Sequence, residues 1–238
     1  MGPKTAMVLA AGLGTRMRPL SDTVPKPLIK LGGEALIDRV LGRLAKAGVE
    51  KAVVNTHYLA DQVQAYLADR KTPEIVISPE PDEILDTGGG VKNALGLLGE
   101  GPFFIHNSDS VWVEGASASL RRMGDVWDPE QMDALLLVAP TAYAIGYPGS
   151  GDFALAPDGS LRRRKENEVV PFVFAGVSIG EASLFDGSPE GPFSLNLLWD
   201  RALEAGRLQG VRLEGVWMHV GTPEALAEAE RLLAGDEE

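Results

Sequence analysis

Residues 4–20 read KTAMVLAAGLGTRMRPL, and this stretch predicts the fold of the chain. Its first six residues are mostly apolar and predict a buried strand. A secretion signal is not indicated, because the apolar run stops at Ala11 without a convincing cleavage site. A glycine-rich turn with two arginines follows directly. A strand that leads into such a turn is typical of the first unit of a parallel α/β sheet.

The first 110 residues continue this alternation of strands and helices. Further strands are predicted at residues 51–56, 74–78 and 102–107, with helices at residues 59–67 and 90–98 and one from residue 36 to the glycine at 48. The short connections predict an α/β fold, with a Rossmann-like, mostly parallel sheet flanked by helices. Ligands of such sheets bind at the carboxyl ends of the strands, which here carry residues 12–18, 86–90 and 107–109.

The rest of the chain is less regular and is expected to be richer in strands. Strands are predicted at residues 133–140, 153–155, 161–164 and 172–179, and helices at residues 194–205 and 224–233. Thr222 and Pro223 form a capping signal before the last helix. The final Gly-Asp-Glu-Glu residues, 235–238, are predicted to be frayed.

Composition excludes several classes of function. The chain has no cysteine, which rules out disulfides, thiolate metal sites and thiol catalysis. Its formal net charge of −12 argues against binding to nucleic acid or to anionic membranes. There is no apolar run of about 18 residues, so no membrane span is predicted. With no signal peptide recognised, the cytoplasm is the expected compartment.

The glycine-rich turn has the chemistry of a phosphate site. Gly12 and Gly14 let the backbone come close to a ligand, and free N–H groups in such a turn can surround phosphate oxygens. Arg16 and Arg18 add positive charge, and Lys26 lies between two prolines that limit its backbone freedom. A tight loop with surface arginines is the alternative. The combination of glycines, arginines and Pro-Lys-Pro favours phosphate binding.

Two common nucleotide-binding patterns do not fit this turn. Met17 stands where the Rossmann pattern has its third glycine, which argues against a dinucleotide-dependent oxidoreductase. The Walker pattern fails as well, because the chain has no Gly-Lys-Ser/Thr. The turn is therefore predicted to bind phosphates in another way.

The motif LAAGLGTRMRP, followed by PKPL at residues 25–28, resembles the signature of the sugar-1-phosphate nucleotidyltransferases. The resemblance extends through DTGGG at residues 86–90, NSD at 107–109 and WMHVGTP at 217–223. Within that family the short length and the DTGGG segment most resemble the N-acetylmuramate 1-phosphate uridylyltransferases of bacterial cell-wall recycling. The resemblance implies the nucleotide-diphospho-sugar transferase fold. It also implies an enzyme that joins a sugar 1-phosphate to a nucleoside triphosphate, UTP first, and releases pyrophosphate.

The resemblance also implies a division of labour along the chain. It predicts one domain over residues 1–238, with a nucleotide-binding half at 1–110 and a smaller, β-rich sugar-phosphate-binding half at 111–238. The predicted nucleotide-binding residues are Ala11, Gly12, Gly14, Thr15, Arg16, Glu80 and Gly88. The predicted sugar-binding residues are Asn107, Gly176 and Asn196, the last with ordinary helix capping as its alternative.

Three residues are predicted to act on the reacting phosphates. By resemblance, Arg16 holds the leaving β,γ-phosphates, Lys26 bridges the α-phosphate and the sugar phosphate, and Asp109 binds Mg²⁺. No protein nucleophile is implied, because the sugar phosphate oxygen attacks directly. A role of Asp109 as the cap of a nearby helix is the alternative.

The second metal ligand departs from the family pattern. Many relatives have an aspartate where this chain has His219, and imidazole suits Mn²⁺ and other transition metals better than Mg²⁺. His219 is therefore predicted as a secondary metal ligand. A hydrogen bond to a phosphate and a packed core histidine remain open.

Other questions stay open at the level of sequence. The basic run at residues 162–165 is read as a solvated strand face, with no role transferred to it. Mannose-1-phosphate guanylyltransferase and glucose-1-phosphate thymidylyltransferase are alternative activities, and a non-catalytic nucleotide or sugar-phosphate sensor is the alternative of another class. The oligomeric state is not determined.

Overall fold

The computed structural model describes residues 2–235. Its strands in chain order are β1 (Thr5–Leu9), β2 (Lys30–Leu31), β3 (Glu34–Ala35), β4 (Lys51–Thr56), β5 (Glu74–Pro79), β6 (Phe103–Asn107), β7 (Ser110–Val113), β8 (Ala134–Pro140), β9 (Phe153–Leu155), β10 (Leu161–Arg163), β11 (Phe172–Gly180), β12 (Leu208–Arg212) and β13 (Val216–His219). Its α-helices are α1 (Leu36–Lys46), α2 (Ala60–Leu67), α3 (Asp86–Leu98), α4 (Ser119–Val126), α5 (Asn196–Glu204) and α6 (Pro223–Ala234).

A nine-stranded mixed sheet forms the centre of the fold, with the path β10-β9-β11-β6-β1-β4-β5. β1 pairs in parallel with both β4 and β6, and β5 pairs in parallel with β4. β11 pairs antiparallel with β6 and also with β8. β12 pairs in parallel with β8. The predicted α/β class, a mostly parallel sheet flanked by helices, is confirmed. Strands from both predicted halves share this one sheet, and the division of labour between the halves stays a prediction.

Helices cover both faces of the sheet, as the alternation of side chains along β1 requires. Ala6 and Val8 belong to the core cluster that also contains the apolar residues of α1 and α2. Met7 points to the opposite face and packs in the cluster that contains the apolar residues of α3 and α5. The central strands are therefore apolar on both sides, which explains why their sequences read as continuous hydrophobic runs.

Two smaller elements bring the end of the chain to the strand ends. β7 pairs antiparallel with β13, so that His219 lies opposite Ser110, the neighbour of Asp109. α6 follows β13, and its Leu226 packs in a third apolar cluster with Met17 of the glycine-rich turn. The C-terminal part of the chain thus supports the turn that follows β1.

The structure corrects several sequence predictions. α3 begins at Asp86, four residues before the predicted start, so the DTGGG segment forms its first turns. No helix starts at Asp109 for this residue to cap, because a short turn leads from β6 directly into β7. β2, β3, β7, β12, β13 and α4 were not predicted. The predicted fraying of residues 236–238 lies outside the described residues. Within residues 2–235, no helix is both long and apolar enough to cross a membrane.

Candidate active site

A cavity of about 330 Å³ opens at the carboxyl ends of the central parallel strands. All three predicted strand-end segments contribute to it. Its lining consists of Leu9, Ala10, Ala11, Gly12, Gly14, Thr15, Arg16, Met17, Lys26, Pro27, Asn55, Glu80, Ile84, Asp86, Thr87, Asn107, Ser108, Asp109 and Gly221. Nine of the twelve residues predicted to touch a nucleotide, a sugar or the reacting phosphates are therefore in this lining: Ala11, Gly12, Gly14, Thr15, Arg16, Lys26, Glu80, Asn107 and Asp109.

The turn after β1 is held in place by its glycines and by one buried methionine. Gly14 has a φ of 64°, and a Cβ atom there would lie 3.2 Å from the Cβ atoms of both Lys26 and Ser21, so another residue would be strained and crowded. Met17 is fully buried, which gives a physical reason for methionine where a Rossmann turn has glycine. A Cβ atom at Gly12 would have no neighbouring atom within 4 Å, so the bare backbone at this residue faces open space.

Lys26 and Asp109 form an ion pair across the cavity. Lys26 lies in a short 3-10 turn that begins after Pro25, and only 13% of its side chain is exposed. Asp109 follows β6, and 29% of its side chain is exposed. Two opposite charges are thus concentrated where the strands end, with Arg16 in the same lining.

The electrostatics of the site favour an ionised Asp109 and a neutral His219. Burial raises the pKa of the Asp109 carboxyl, but the charge and hydrogen bond of Lys26, with a contribution from His219, lower that pKa below its ordinary value. For His219, burial and the positive charges of Arg16 and Lys26 lower the pKa, although Asp109 acts in the opposite direction. The neutral imidazole therefore has a nitrogen lone pair beside an anionic carboxylate.

A buried hydrogen-bond network forms the other side of the cavity. Asn55, at the end of β4, accepts a hydrogen bond of 2.7 Å from the Ala10 backbone N–H and donates one of 2.6 Å to Glu80 Oε1. Glu80 Oε2 accepts from the Leu85 N–H at 3.0 Å, and the residue is 2% exposed. A Cβ atom at Gly90 would lie 2.8 Å from both Asn55 Nδ2 and Glu80 Oε1. Glycine at this point of α3 therefore makes room for the network.

Asn55 was not singled out by the sequence reasoning, although a signal was present. It is a polar residue near the end of an apolar strand, in the segment KAVVNT. The same observation led to the prediction for Asp109. Applied to β4, it would have found Asn55.

Three residues predicted to bind nucleotide or sugar lie outside the cavity lining, as does the predicted metal ligand His219. The N–H of Gly88 donates to the Phe193 carbonyl at 2.8 Å, and a Cβ atom there would overlap the Phe193 ring. Gly176 has a φ of 86°, and a Cβ atom there would overlap Ser110 Oγ and lie 3.4 Å from Asn107 Nδ2. Asn196 accepts a hydrogen bond of 2.8 Å from Arg163. The structure thus accounts for both glycines by packing, and the binding roles of these three residues stay predictions.

Comparison with known proteins decides the family. Residues 5–147, which include β1, the glycine-rich turn, Lys26 and Asp109, match the family described as "Nucleotidyl transferase". The chain belongs to this family. The match starts at the first residue of β1 and extends over more than half of the chain, so it covers the candidate site except for the segment around His219.

Two curated relatives place this nucleotidyltransferase among the enzymes that act on sugar 1-phosphates. It is 50% identical over 236 residues to an N-acetylmuramate α-1-phosphate uridylyltransferase of Caulobacter vibrioides, with 98% of each chain covered. It is 36% identical over 230 residues to the protein of the same name from Neisseria meningitidis serogroup B, with 95% of this chain and 97% of that protein covered.

A solved structure supports the fold. The nucleotidyltransferase resembles HddC from Yersinia pseudotuberculosis, solved in complex with GMP-PN, with a TM-score of 0.76 and 21% sequence identity. The alignment covers 97% of this chain and 99% of the other. At this identity the likeness shows the nucleotide-diphospho-sugar transferase fold alone.

Protein ligands for a metal are few in this nucleotidyltransferase. Within residues 2–235, no group of three or more histidine, aspartate and glutamate side chains could hold a metal ion. Asp109 lines the cavity, and His219 lies just outside the lining, on β13 opposite Ser110, the neighbour of Asp109. One carboxylate oxygen and one neutral imidazole fit a divalent cation that takes its remaining ligands from substrate phosphates and water.

Proposed function

We propose that this chain transfers a uridylyl group from UTP to N-acetylmuramate 1-phosphate and releases pyrophosphate. The observation that carries the proposal is that Arg16, Lys26 and Asp109 line one cavity with the glycine-rich turn. We infer the two substrates from the two curated relatives. Their names specify this reaction, and their alignments cover nearly the whole chain.

The reaction requires positioning and charge neutralisation rather than a protein nucleophile. An oxygen of the sugar phosphate forms a bond to the α-phosphorus of UTP, and the bond from that phosphorus to the oxygen bridging to the β-phosphate breaks. Pyrophosphate leaves with the electron pair of that bond. Arg16 would hold the departing phosphates, and Lys26 would stabilise charge at the α-phosphorus. Gly12, Gly14 and Thr15 would supply N–H groups along the triphosphate.

A divalent cation is part of the proposal, with Mg²⁺ as the first choice. Two substrates with several negative charges must meet in a protein whose net charge is −12, and Arg16 and Lys26 alone cannot balance them. Asp109 would hold the cation by a carboxylate oxygen, with His219 as a weaker second ligand. The cation would neutralise the phosphates of both substrates.

The choice of UTP has a chemical basis in Glu80. Its buried carboxylate lines the cavity and accepts hydrogen bonds from Asn55 and Leu85, so a lone pair that remains would select a base with an N–H at its pairing edge. Uracil N3–H meets this requirement. Guanine N1–H meets it as well, which keeps a guanylyltransferase as the second candidate, and so does thymine N3–H, which keeps a thymidylyltransferase as an alternative. These triphosphates all occur in the cytoplasm, where we place the reaction, in the recycling of peptidoglycan sugars.

The proposal is tested with a matrix of four nucleoside triphosphates against several sugar 1-phosphates, assayed by pyrophosphate release with and without EDTA. UTP with N-acetylmuramate 1-phosphate should give the highest kcat/KM, and EDTA should abolish turnover. GTP with mannose 1-phosphate as the best pair would favour the second candidate. Tight binding of a triphosphate without release of pyrophosphate in any combination would indicate a non-catalytic sensor.

A further inference from the structure

The basic run at residues 162–165 does not behave as one solvated face. Arg162 lies on the face of β10 opposite to α5. It forms an exposed ion pair with Glu168, with N–O distances of 2.6 and 2.8 Å. The Arg164 side chain donates long hydrogen bonds to the backbone carbonyls of Lys165 and Glu168, at 3.5 and 3.4 Å. Arg163 lies on the opposite face of β10, as its position between them requires. Its surroundings are different from those of its neighbours.

Arg163 is held by three side chains in one orientation. Its guanidinium carbon lies 5.1 Å from the centre of the Phe153 ring. Its Nε atom donates to the Asp200 carboxylate, and one terminal nitrogen, Nη2, donates to Asn196 Oδ1 at 2.8 Å. The other terminal nitrogen, Nη1, has no hydrogen-bond partner among residues 2–235. The guanidinium is therefore fixed at one edge and open at the other.

Two paths of contact connect Arg163 to the candidate active site. On the α3 side, Asn196 follows Leu195, whose N–H donates at 3.0 Å to Thr87 Oγ1, and Thr87 lines the cavity. The segment before it is fixed to the same helix, because the Phe193 carbonyl accepts from the first turn of α3.

On the β11 side, Gly176 lies against Asn107 of the cavity lining. Two residues before Gly176, the ring of Phe174 lies 4.7 Å from that of Trp199, which is on α5 with Asn196. Arg163 thus belongs to the wall that continues from Asn107 and Thr87 away from the glycine-rich turn. Arg163 itself is outside the cavity lining, and we take this wall as the side along which the sugar extends from a phosphate near Lys26 and Asp109.

We propose that Arg163 is a specificity-determining residue that binds a carboxylate on the sugar, and so selects a sugar acid over a neutral sugar. This inference rests on the proposed function and deepens it. N-acetylmuramate differs from N-acetylglucosamine by a lactyl ether that ends in a carboxylate. Nη1 and the free N–H of Nη2 present two donors side by side, which matches the geometry of a carboxylate.

Charge gives a reason for such a residue. The acidic protein repels an anionic sugar, so a carboxylate far from Lys26 needs a cation of its own. The ion pair with Asp200 leaves Arg163 able to bind a second carboxylate, because Asp200 is about half exposed and accepts a hydrogen bond only from Nε. The contact is remote from the reacting atoms and is the same before and during reaction. It should therefore act on KM more than on kcat.

The test compares N-acetylmuramate 1-phosphate with the same sugar phosphate whose lactyl carboxylate is converted to a neutral amide. The wild type should favour the acid over the amide in kcat/KM by roughly 10- to 100-fold, the scale of one charged hydrogen bond. Arg163→Gln should remove this preference by raising KM for the acid, with kcat and the kinetics of the amide nearly unchanged. Arg163→Lys should retain part of the preference. Arg162→Gln, which removes an equal charge from the same strand, should retain all of it.

The outcomes separate this inference from the function on which it rests. If the wild type uses acid and amide equally well, or if Arg163→Gln and Arg163→Lys slow both sugars equally, the proposed role of Arg163 is wrong while the uridylyltransferase remains. If the wild type turns over neither sugar with UTP, the proposed function is wrong and this inference with it. Thermal unfolding of each variant checks that a general loss does not come from misfolding, and the Lys variant keeps the test decisive if Arg163→Gln is unstable.

Discussion

At the scale of single residues, charge is placed where the chain has little freedom. Lys26 follows one proline and precedes another, and Asp109 lies in the short turn between β6 and β7. Their ion pair orients both side chains in the absence of a ligand. Such preorganised charge is most useful where a transition state gathers negative charge on phosphate oxygens.

Replacement of Lys26 tests this arrangement. Lys26→Ala should lower kcat by roughly 100-fold or more, the scale for loss of one preorganised charge-stabilising group. Lys30→Ala is the matched control, because Lys30 is exposed on the neighbouring strand β2 and outside the cavity lining; its steady-state kinetics should equal those of the wild type. Turnover of Lys26→Ala within threefold of the wild type would remove Lys26 from the mechanism.

The two candidate metal ligands should differ in importance. Asp109→Ala should nearly abolish activity even at high Mg²⁺, whereas His219→Ala should cost less, because oxygen is the ligand that Mg²⁺ prefers. His219→Asp should preserve or raise activity with Mg²⁺ and lower the ratio of Mn²⁺-supported to Mg²⁺-supported turnover. Asp82→Ala, at an exposed carboxylate outside the lining, is the control. An active Asp109→Ala together with an inactive His219→Asp would contradict the assignment.

At the scale of elements, sequence reasoning worked where a pattern is local and failed where packing decides. Long apolar runs such as β8 and the periodic residues of α1 were found from the sequence. The start of α3 was not, because Gly88 and Gly89 are poor helix formers and argue against a helix before residue 90. Packing favours glycine at residues 88–90, because a Cβ atom there would overlap Phe193, the Gly191 carbonyl or the Asn55–Glu80 pair, respectively.

The same contrast applies to the site. The motifs placed the glycine-rich turn, Lys26 and Asp109 correctly in one cavity, since strand ends of a parallel sheet meet at one edge. They could not separate Arg163 from Arg162, because the difference lies in which face of β10 packs on α5. They also could not tell that the glycines of α3 serve packing.

Two glycines of α3 provide a matched pair of substitutions. Gly88→Ala should lower the free energy of unfolding by about 1–3 kcal/mol, because the methyl group would overlap Phe193 and lie 2.8 Å from its carbonyl oxygen. Gly96→Ala, on the same helix with nothing within 4 Å, should raise it by up to about 1 kcal/mol. Urea unfolding measures both. Equal effects of the two substitutions would show that the close approach at Gly88 is not a constraint.

At the scale of the whole molecule, one sheet connects the site to a buried titratable group. His106 of β6 is fully buried, stacks on Trp112 at 5.6 Å, and shares a 2.8 Å hydrogen bond through Nδ1 with the Asn107 carbonyl. Burial, with a contribution from the charge of Arg43, lowers the pKa of His106 to about 3, although its hydrogen bond to Asn107 and the charge of Asp109 act in the opposite direction. The folded protein therefore keeps this imidazole neutral at every pH near neutrality.

The sign of the pH dependence follows from that shift. Below about pH 6.5 the unfolded chain binds a proton at His106 that the folded protein does not bind, so stability falls as pH falls towards 3. The contribution of this one group is at most about 1.4 kcal/mol per pH unit. His106→Phe, which retains an aromatic ring beside Trp112, should reduce the loss of stability between pH 6.5 and 4.5 measured by urea unfolding. Parallel stability profiles for both proteins would contradict the prediction.

The most direct test of the proposed reaction is a time course of both products with UTP, N-acetylmuramate 1-phosphate and Mg²⁺, read by mass spectrometry and a pyrophosphate assay. We predict a uridine diphosphate sugar and pyrophosphate in equal amounts, with neither product formed when either substrate is left out. Release of pyrophosphate from UTP without the sugar phosphate, or no nucleotide sugar under any of these conditions, would contradict the proposed reaction.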